Sequence, residues 1–302
     1  MKSNHFQWLI NQSVFIIFLM FLSTTVQAQK DFQGLVVYES KTSTKSMSFG
    51  GSNREITPEM QKTIEERMKK LTEKTYNLYF DKSASIYEEE EKLEAGGTQN
   101  SGMRIFSSFT GGGGKLYKNV KDKTYAVDKE LMGKEFLVKD TLAKLNWKLE
   151  SETKQIGNYL CYKATAIQPV SKSDFRNIRR KEPNASEPKK EDKTKATNFM
   201  DQMEMPKEIT ITAWYTPDIP VNQGPEIYWG LPGLILEVNT GVTTILCSKV
   251  VLNTKEKKEI KAPTKGKVVT QKEYDDIVVK KMEEMREQFK NGGGRPGFRM
   301  GN

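Results

Sequence analysis

Short runs of β-branched and aromatic residues, separated by turn residues at the spacing of an antiparallel meander, leave this chain little choice but a sheet. The clearest case is Trp147-Lys-Leu-Glu-Ser-Glu-Thr-Lys154, which alternates with period 2, turns at Gly157-Asn158 and returns as Tyr159 to Ile167. A helix has period 3.6, so strict alternation over eight residues reads as a hairpin. The same pattern predicts strands at Gly34–Glu39, Tyr76–Phe80, Ser83–Tyr87, Lys115–Lys118, Thr124–Val127, Lys134–Val138 and Glu208–Tyr215. Pro217 stops the last of these. Leu234–Asn239 and Val242–Val251 form a further hairpin about Thr240-Gly241.

Two segments break the pattern. Thr57-Pro58-Glu59 supplies a capping hydroxyl, proline at the first helical position and acid in the first turn. Ile56, Met60, Ile64, Met68 and Leu71 then recur at helical spacing, which predicts an amphipathic helix to about Thr72. From Gln271 to Lys290 a second helix places Tyr274, Ile277, Val278, Met282, Met285 and Phe289 on one face, suited to docking on the sheet or on a partner.

A mean hydropathy of −0.65 is polar for one domain, so sizeable inserts are expected. The glycine-rich stretch 93–114 and the Lys/Glu/Pro/Ser-rich stretch 168–206 are both expected to be disordered, as is the Gly/Arg-rich tail 291–302. The remainder of 29–270 is expected to be a single antiparallel β domain.

Residues 1–28 read as a secretory signal peptide: Lys2, an apolar run from Val14 to Leu22, and small residues at Val26 and Ala28 before the expected cut. The run is short of the roughly 20 residues that a bilayer-spanning helix needs. Gln29 would follow the cut, so no cysteine is offered for acylation. The expectation is an exported protein: periplasmic, outer-membrane-associated or secreted, with no transmembrane segment after cleavage.

That cleavage removes His5, the only histidine. A mature chain without imidazole has no Ser-His-Asp or Cys-His nucleophile and no His-ligated metal site. No catalytic residue, metal or cofactor is therefore expected. Ser151-Glu-Thr-Lys154 has S-x-x-K spacing, but it lies in a strand with no S-D-N or K-T-G partner. The acid run Glu88–Glu91 lacks the alternate spacing that wraps ligands round Ca²⁺, and reads as a solvated strand end. Asn184-Ala-Ser186 fits a glycosylation sequon that matters only in a eukaryotic secretory pathway. A net charge of +9 sits in loops without aromatic interleaving, so a solvated surface is expected and not nucleic acid. Cys161 and Cys247 lie in apolar, strand-like settings. In an oxidising compartment they are either bridged or two buried thiols.

The stretch with most information runs from Trp214-Tyr215 through Tyr228-Trp229-Gly230-Leu231-Pro232-Gly233-Leu234-Ile235. Pro232 and Gly233 suit the two central positions of a type II turn. Gly230-Leu-Pro-Gly-Leu-Ile235 resembles the signature of the GLPGLI family of exported, Bacteroidota-type proteins. Gly34-Leu-Val-Val-Tyr38 and the Trp147–Ala164 hairpin resemble that family in order. The resemblance implies export and supplies no catalytic residue. Read from the residues, the segment is either a rigid plug that closes a sheet edge or mouth, or an aromatic platform for a ligand such as a sugar or acyl chain.

The expected architecture is mainly β: a curved antiparallel sheet of some ten strands, an open barrel or sandwich, with one helix after the first strand and one at the C-terminus. The expected function is non-enzymatic binding or carriage of an apolar small molecule or an envelope protein partner. The alternatives are an assembly subunit docking on an outer-membrane partner and a carboxylate-only hydrolase such as a glycosidase.

Overall fold

In a computed structural model of the chain, residues 32–43, 57, 59, 62, 63, 66, 69, 72–90, 114–180, 203–253 and 258–291 are described. They are mainly β, as the alternation predicts. The strands are β1 (Gly34–Thr42), β2 (Glu73–Phe80), β3 (Ala84–Glu89), β4 (Leu116–Asn119), β5 (Thr124–Leu131), β6 (Lys134–Thr141), β7 (Lys148–Ile156), β8 (Tyr159–Pro169), β9 (Arg179–Arg180), β10 (Met203–Glu204), β11 (Glu208–Thr216), β12 (Leu234–Asn239), β13 (Thr243–Leu252) and β14 (Lys267–Val269). Twelve of them make one sheet in the order β14-β6-β5-β4-β3-β2-β1-β13-β12-β11-β8-β7, and β9 pairs with β10 apart from it.

The sheet is antiparallel except at one edge, where β14 runs parallel to β6. It does not close into a barrel: among the described residues β14 and β7 are its edges. The first six strands form a meander in sequence order. The chain then crosses to the far edge and works back, so that β13 pairs with β1.

Register explains the core. Val36, Leu78, Tyr87, Leu116, Val127, Val138 and Val269 are successive cross-strand partners over seven strands, an unbroken row on the inner face. All seven are buried. Cross-strand pairs of this kind are the unit of sheet stability. One rung away on the same face lies a different row, Ser85–Lys118–Tyr125–Asp140. It is polar throughout.

The C-terminal helix (Gln271–Asn291) lies against β6. Its start is a capping box: Thr270 N donates to Glu273 Oε2 at 2.7 Å, and Glu273 N donates to Thr270 Oγ1 at 3.2 Å. Tyr274 and Val278 are buried, and the Tyr274 ring meets Phe136 edge-on at 5.6 Å between centroids. Tyr274 and Val278 of the predicted apolar stripe thus dock on the sheet, Ile277, Met282 and Met285 are half-buried, and the Phe289 side chain lies outside the described residues.

For the predicted helix after β1, the described residues Glu59, Lys62, Thr63, Glu66, Lys69 and Thr72 have helical backbone, all but Thr72 exposed. Ile56, Met60, Ile64, Met68 and Leu71 lie outside the described residues. So do the signal-peptide segment 1–28, residues 93–113 of the first insert, and the tail from 292. Residues 168–206 are not all insert. β8 continues to Pro169, Phe175–Asn177 form a 3₁₀ turn, and Arg179–Arg180 pair with Met203–Glu204, leaving only 181–202 outside the described residues.

Candidate functional site

The segment joining β11 to β12, residues 217–233, lies across the inner face. Tyr38 on β1 donates its hydroxyl to Ile235 O at 2.5 Å. Ser85 on β3 donates to Gln223 Oε1 at 2.9 Å. Trp229 Nε1 donates to Ala143 O, and Trp147 Nε1 donates to Trp229 O, each at 2.9 Å. Tyr228, Trp229 and Leu231 are buried.

Its backbone also differs from the expected type II turn. Gly233 N donates to Leu231 O at 2.8 Å, which closes a γ-turn about Pro232; Val221 N does the same to Ile219 O about Pro220. Proline's fixed φ suits the centre of an inverse γ-turn as well as it suits a type II turn. Glycine at 233 is needed for close approach. A Cβ there would stand 2.1 Å from Thr216 O, where the segment returns to the strand it left.

Beneath the segment runs the polar row. Lys118 is fully buried, and its Nζ donates to Gly224 O at 2.5 Å and Tyr228 O at 3.2 Å. Burial lowers its pKa to about 7, against a smaller opposing pull from Glu226. Further along the row, Tyr125 donates its hydroxyl to Gln271 Oε1 at 3.1 Å, and Asp140 Oδ2 accepts from Gln271 N at 3.1 Å. The row therefore anchors both covers of the inner face: Ser85 and Lys118 hold the signature segment, Tyr125 and Asp140 hold the helix start.

A third cover, residues 170–178, joins the other two. Arg176 binds Asp174 through Nε at 2.9 Å and Nη2 at 3.0 Å, and Glu226 through Nη1 at 2.6 Å and Nη2 at 3.3 Å. Burial alone would raise Asp174, but the Arg176 guanidinium outweighs it and holds the carboxyl below its usual value. Glu226 sits in the signature segment at φ +46°. Towards the helix, Asp275 accepts from Ser171 Oγ at 2.9 Å, Ser173 Oγ at 2.6 Å and Gln271 Nε2 at 2.7 Å. Lys129, lowered by burial and opposed by Asp275, lies over the Tyr274 ring at 4.7 Å.

The structure buries most of the signature. Tyr215, Tyr228, Trp229, Leu231, Gly233, Leu234 and Ile235 are buried; Gly230 is half-buried at φ +91°, and Pro232 is exposed. Trp214 faces the other side of β11, half-buried under Lys154 Nζ at 4.4 Å. Lys154, the lysine of the S-x-x-K match, also binds Glu237 at 2.5 Å. Cys161 and Cys247 are free thiols on β8 and β13, with β11 and β12 between those strands. Burial raises each to about 11. Glu88 pairs with Lys115 and Lys258, and Glu89 with Lys74, so these acids meet cationic side chains.

Sequence reading missed Lys118, Asp174, Arg176, Glu226 and Asp275. Lys118 was hidden in a strand of ordinary alternation. Asp174 and Arg176 fell in a stretch whose composition reads as disordered, although the apolar Phe175 and Ile178 beside them were a signal of order.

Residues 147–237 match the model of a family described as a protein of unknown function, Porph_ging. The match runs from the β7–β8 hairpin into β12, across the signature segment. No curated protein matches. Among solved structures the chain is similar to PNGF-II in two crystal forms, C2 and P21, at 15% identity and TM-scores of 0.43 and 0.42, covering 82% of this chain. It spans about a third of the length of those chains, 33% of each.

Proposed function

We propose that this is an exported, GLPGLI-type envelope protein without catalytic activity, which binds a protein partner at the β7 edge of its sheet. One observation carries the reading: the Trp229 indole and the Gly224, Tyr228 and Trp229 carbonyls of the signature segment are bound by other groups of the protein itself. Trp229 Nε1 binds Ala143 O, Trp229 O receives Trp147, and Lys118 takes Gly224 O and Tyr228 O. A ligand platform would hold such groups free. At the β7–β8 hairpin, by contrast, Leu149 on the edge strand and Leu160 and Ile167 on its neighbour are 56%, 43% and 62% exposed, against Val268 alone, at 61%, on β14 at the other edge. An edge strand bearing exposed apolar side chains is a template for a partner.

The hydrolase alternative finds little support where two carboxylates meet. Asp174 and Glu226 share one guanidinium, which fills the space between them, and Asp174 is held ionised where a general acid must keep its proton.

A photo-crosslinking residue at Leu149 or Leu160, in cells, tests the reading. An adduct from this edge, absent from the same residue at Val268 on β14 and lost in a Leu149→Glu/Leu160→Glu variant, is the expected result. Equal adducts at both edges, or none, overturn it. An apolar molecule released from native protein in mass spectra would overturn it in favour of the carrier alternative. Adducts that require residues 181–202 would favour the assembly subunit.

A further inference from the structure

Lysine is almost never fully buried without a counter-charge bound to it, and Lys118 is. Its two partners, Gly224 O and Tyr228 O, are neutral carbonyls on the signature segment. A neutral amine has two N–H groups, one for each. An ammonium has three, and among the described residues no third acceptor is bound. Glu226, the nearest acid of the segment, is committed to Arg176. The other groups around this layer are Tyr228 on the segment, Asp174 on residues 170–178, Tyr76 on β2, Tyr87 on β3, Tyr125 and Lys129 on β5, and Asp140 on β6. Burial raises the four tyrosines, so all four are neutral near pH 7. Tyr87 Oη and Gln223 Nε2 are buried in the same layer without a hydrogen-bond partner among the described residues.

We propose that Lys118 makes the signature segment an acid-released latch: as the neutral amine it pins Gly224 and Tyr228 to the sheet, and proton uptake lifts the segment from the inner face. No covalent bond is made or broken beyond the N–H of the proton taken up; the lifted segment gives up the two Lys118 hydrogen bonds and its ties through Gln223, Glu226 and Trp229. The inference goes beyond the partner-binding reading and does not rest on it. The sign follows from linkage. With the segment lifted, Lys118 meets water and regains its ordinary value of 10.5, against about 7 when covered. The lifted form therefore binds more protons throughout that window. Lifting becomes about tenfold more favourable for each pH unit lowered from 10.5 towards 7, and levels off below.

Hydrogen exchange of the full chain reads this directly. The amides of Leu234 and Ile235, on β12, donate to the Ile219 and Gln223 carbonyls of the segment, bonds that a lifted segment gives up. Their protection, corrected for the intrinsic rate at each pH, should fall more than tenfold from pH 9 to pH 7, while amides of β1 hold. Lys118→Met should abolish the dependence; Lys129→Met, which removes another lysine of this face, should keep it. Lys118→Arg, charged at every pH, should be unprotected throughout. Wild-type protection that is flat between pH 9 and pH 6 overturns the proposal whether or not the variants fold. So does an unchanged slope in Lys118→Met.

Discussion

Replacing Arg176 by methionine removes the one cation that two inner carboxylates share. Asp174 and Glu226 make four contacts to it, between 2.6 and 3.3 Å. Without the guanidinium, two like charges face each other, and Asp174 keeps only the backbone N–H of residue 176 and Asn177 Nδ2 as donors. Stripping one member from a fully buried ion pair costs about 3–5 kcal/mol. Here the side chains keep 25%, 25% and 21% of their exposure, so water screens part of that cost. A loss of about 2–3 kcal/mol is expected for Arg176→Met. In urea at pH 7 it should appear as a lower midpoint with the slope unchanged. The pH dependence gives a second check. Asp174 has a folded pKa below its unfolded 3.8, so its contribution is present above that value and is lost as pH falls through the folded one. The gap between wild type and variant should therefore narrow below pH 4. A change under 0.5 kcal/mol at pH 7, or a gap of equal size at pH 7 and pH 3, would falsify the clasp.

Gly233→Ala should cost 3 kcal/mol or more, or prevent folding, because its Cβ would meet a backbone oxygen that cannot retreat; calorimetry showing an unchanged melting temperature refutes this. Trp229→Phe keeps the ring's bulk but leaves Ala143 O without its donor, an expected loss of about 1 kcal/mol in urea titration. A loss near zero would mean that water replaces the indole. The two cysteines should react as two thiols in denaturant and slowly when folded at pH 8, since burial raises both to about 11. A melting temperature lowered by reductant would instead reveal a bridge between them.

The three covers of the inner face depend on one another. The signature segment is tied to β1, β3 and β4, residues 170–178 are tied to it through Glu226, and the helix start is tied to both residues 170–178 and β6. A change at Arg176 is therefore expected to loosen more than its own neighbourhood. Sites that share partners couple, and distant ones add.

How much of this was legible depended on whether the signal was local. Alternation at Trp147–Lys154, the turn at Gly157-Asn158 and the apolar stripe of Tyr274 and Val278 fixed strands, hairpins and helix, because side-chain period is a property of the backbone itself. The aromatic signature was legible as a cover, since that much apolar area must be buried somewhere. Its turn was misjudged: proline sits as well in a γ-turn, and only the return of the chain to Thr216 decides between the two. The polar row was invisible. Ser85, Lys118, Tyr125 and Asp140 are scattered over 56 positions and become neighbours only through strand register, which long-range pairing sets. Arg176 read as part of a solvated stretch because composition counts charges and cannot see Glu226 arriving from fifty residues away. The sequence alone determined which segments alternate and what must be covered. The tertiary structure alone decided which charges meet beneath the cover, because electrostatic partners are chosen by distance in space and not along the chain.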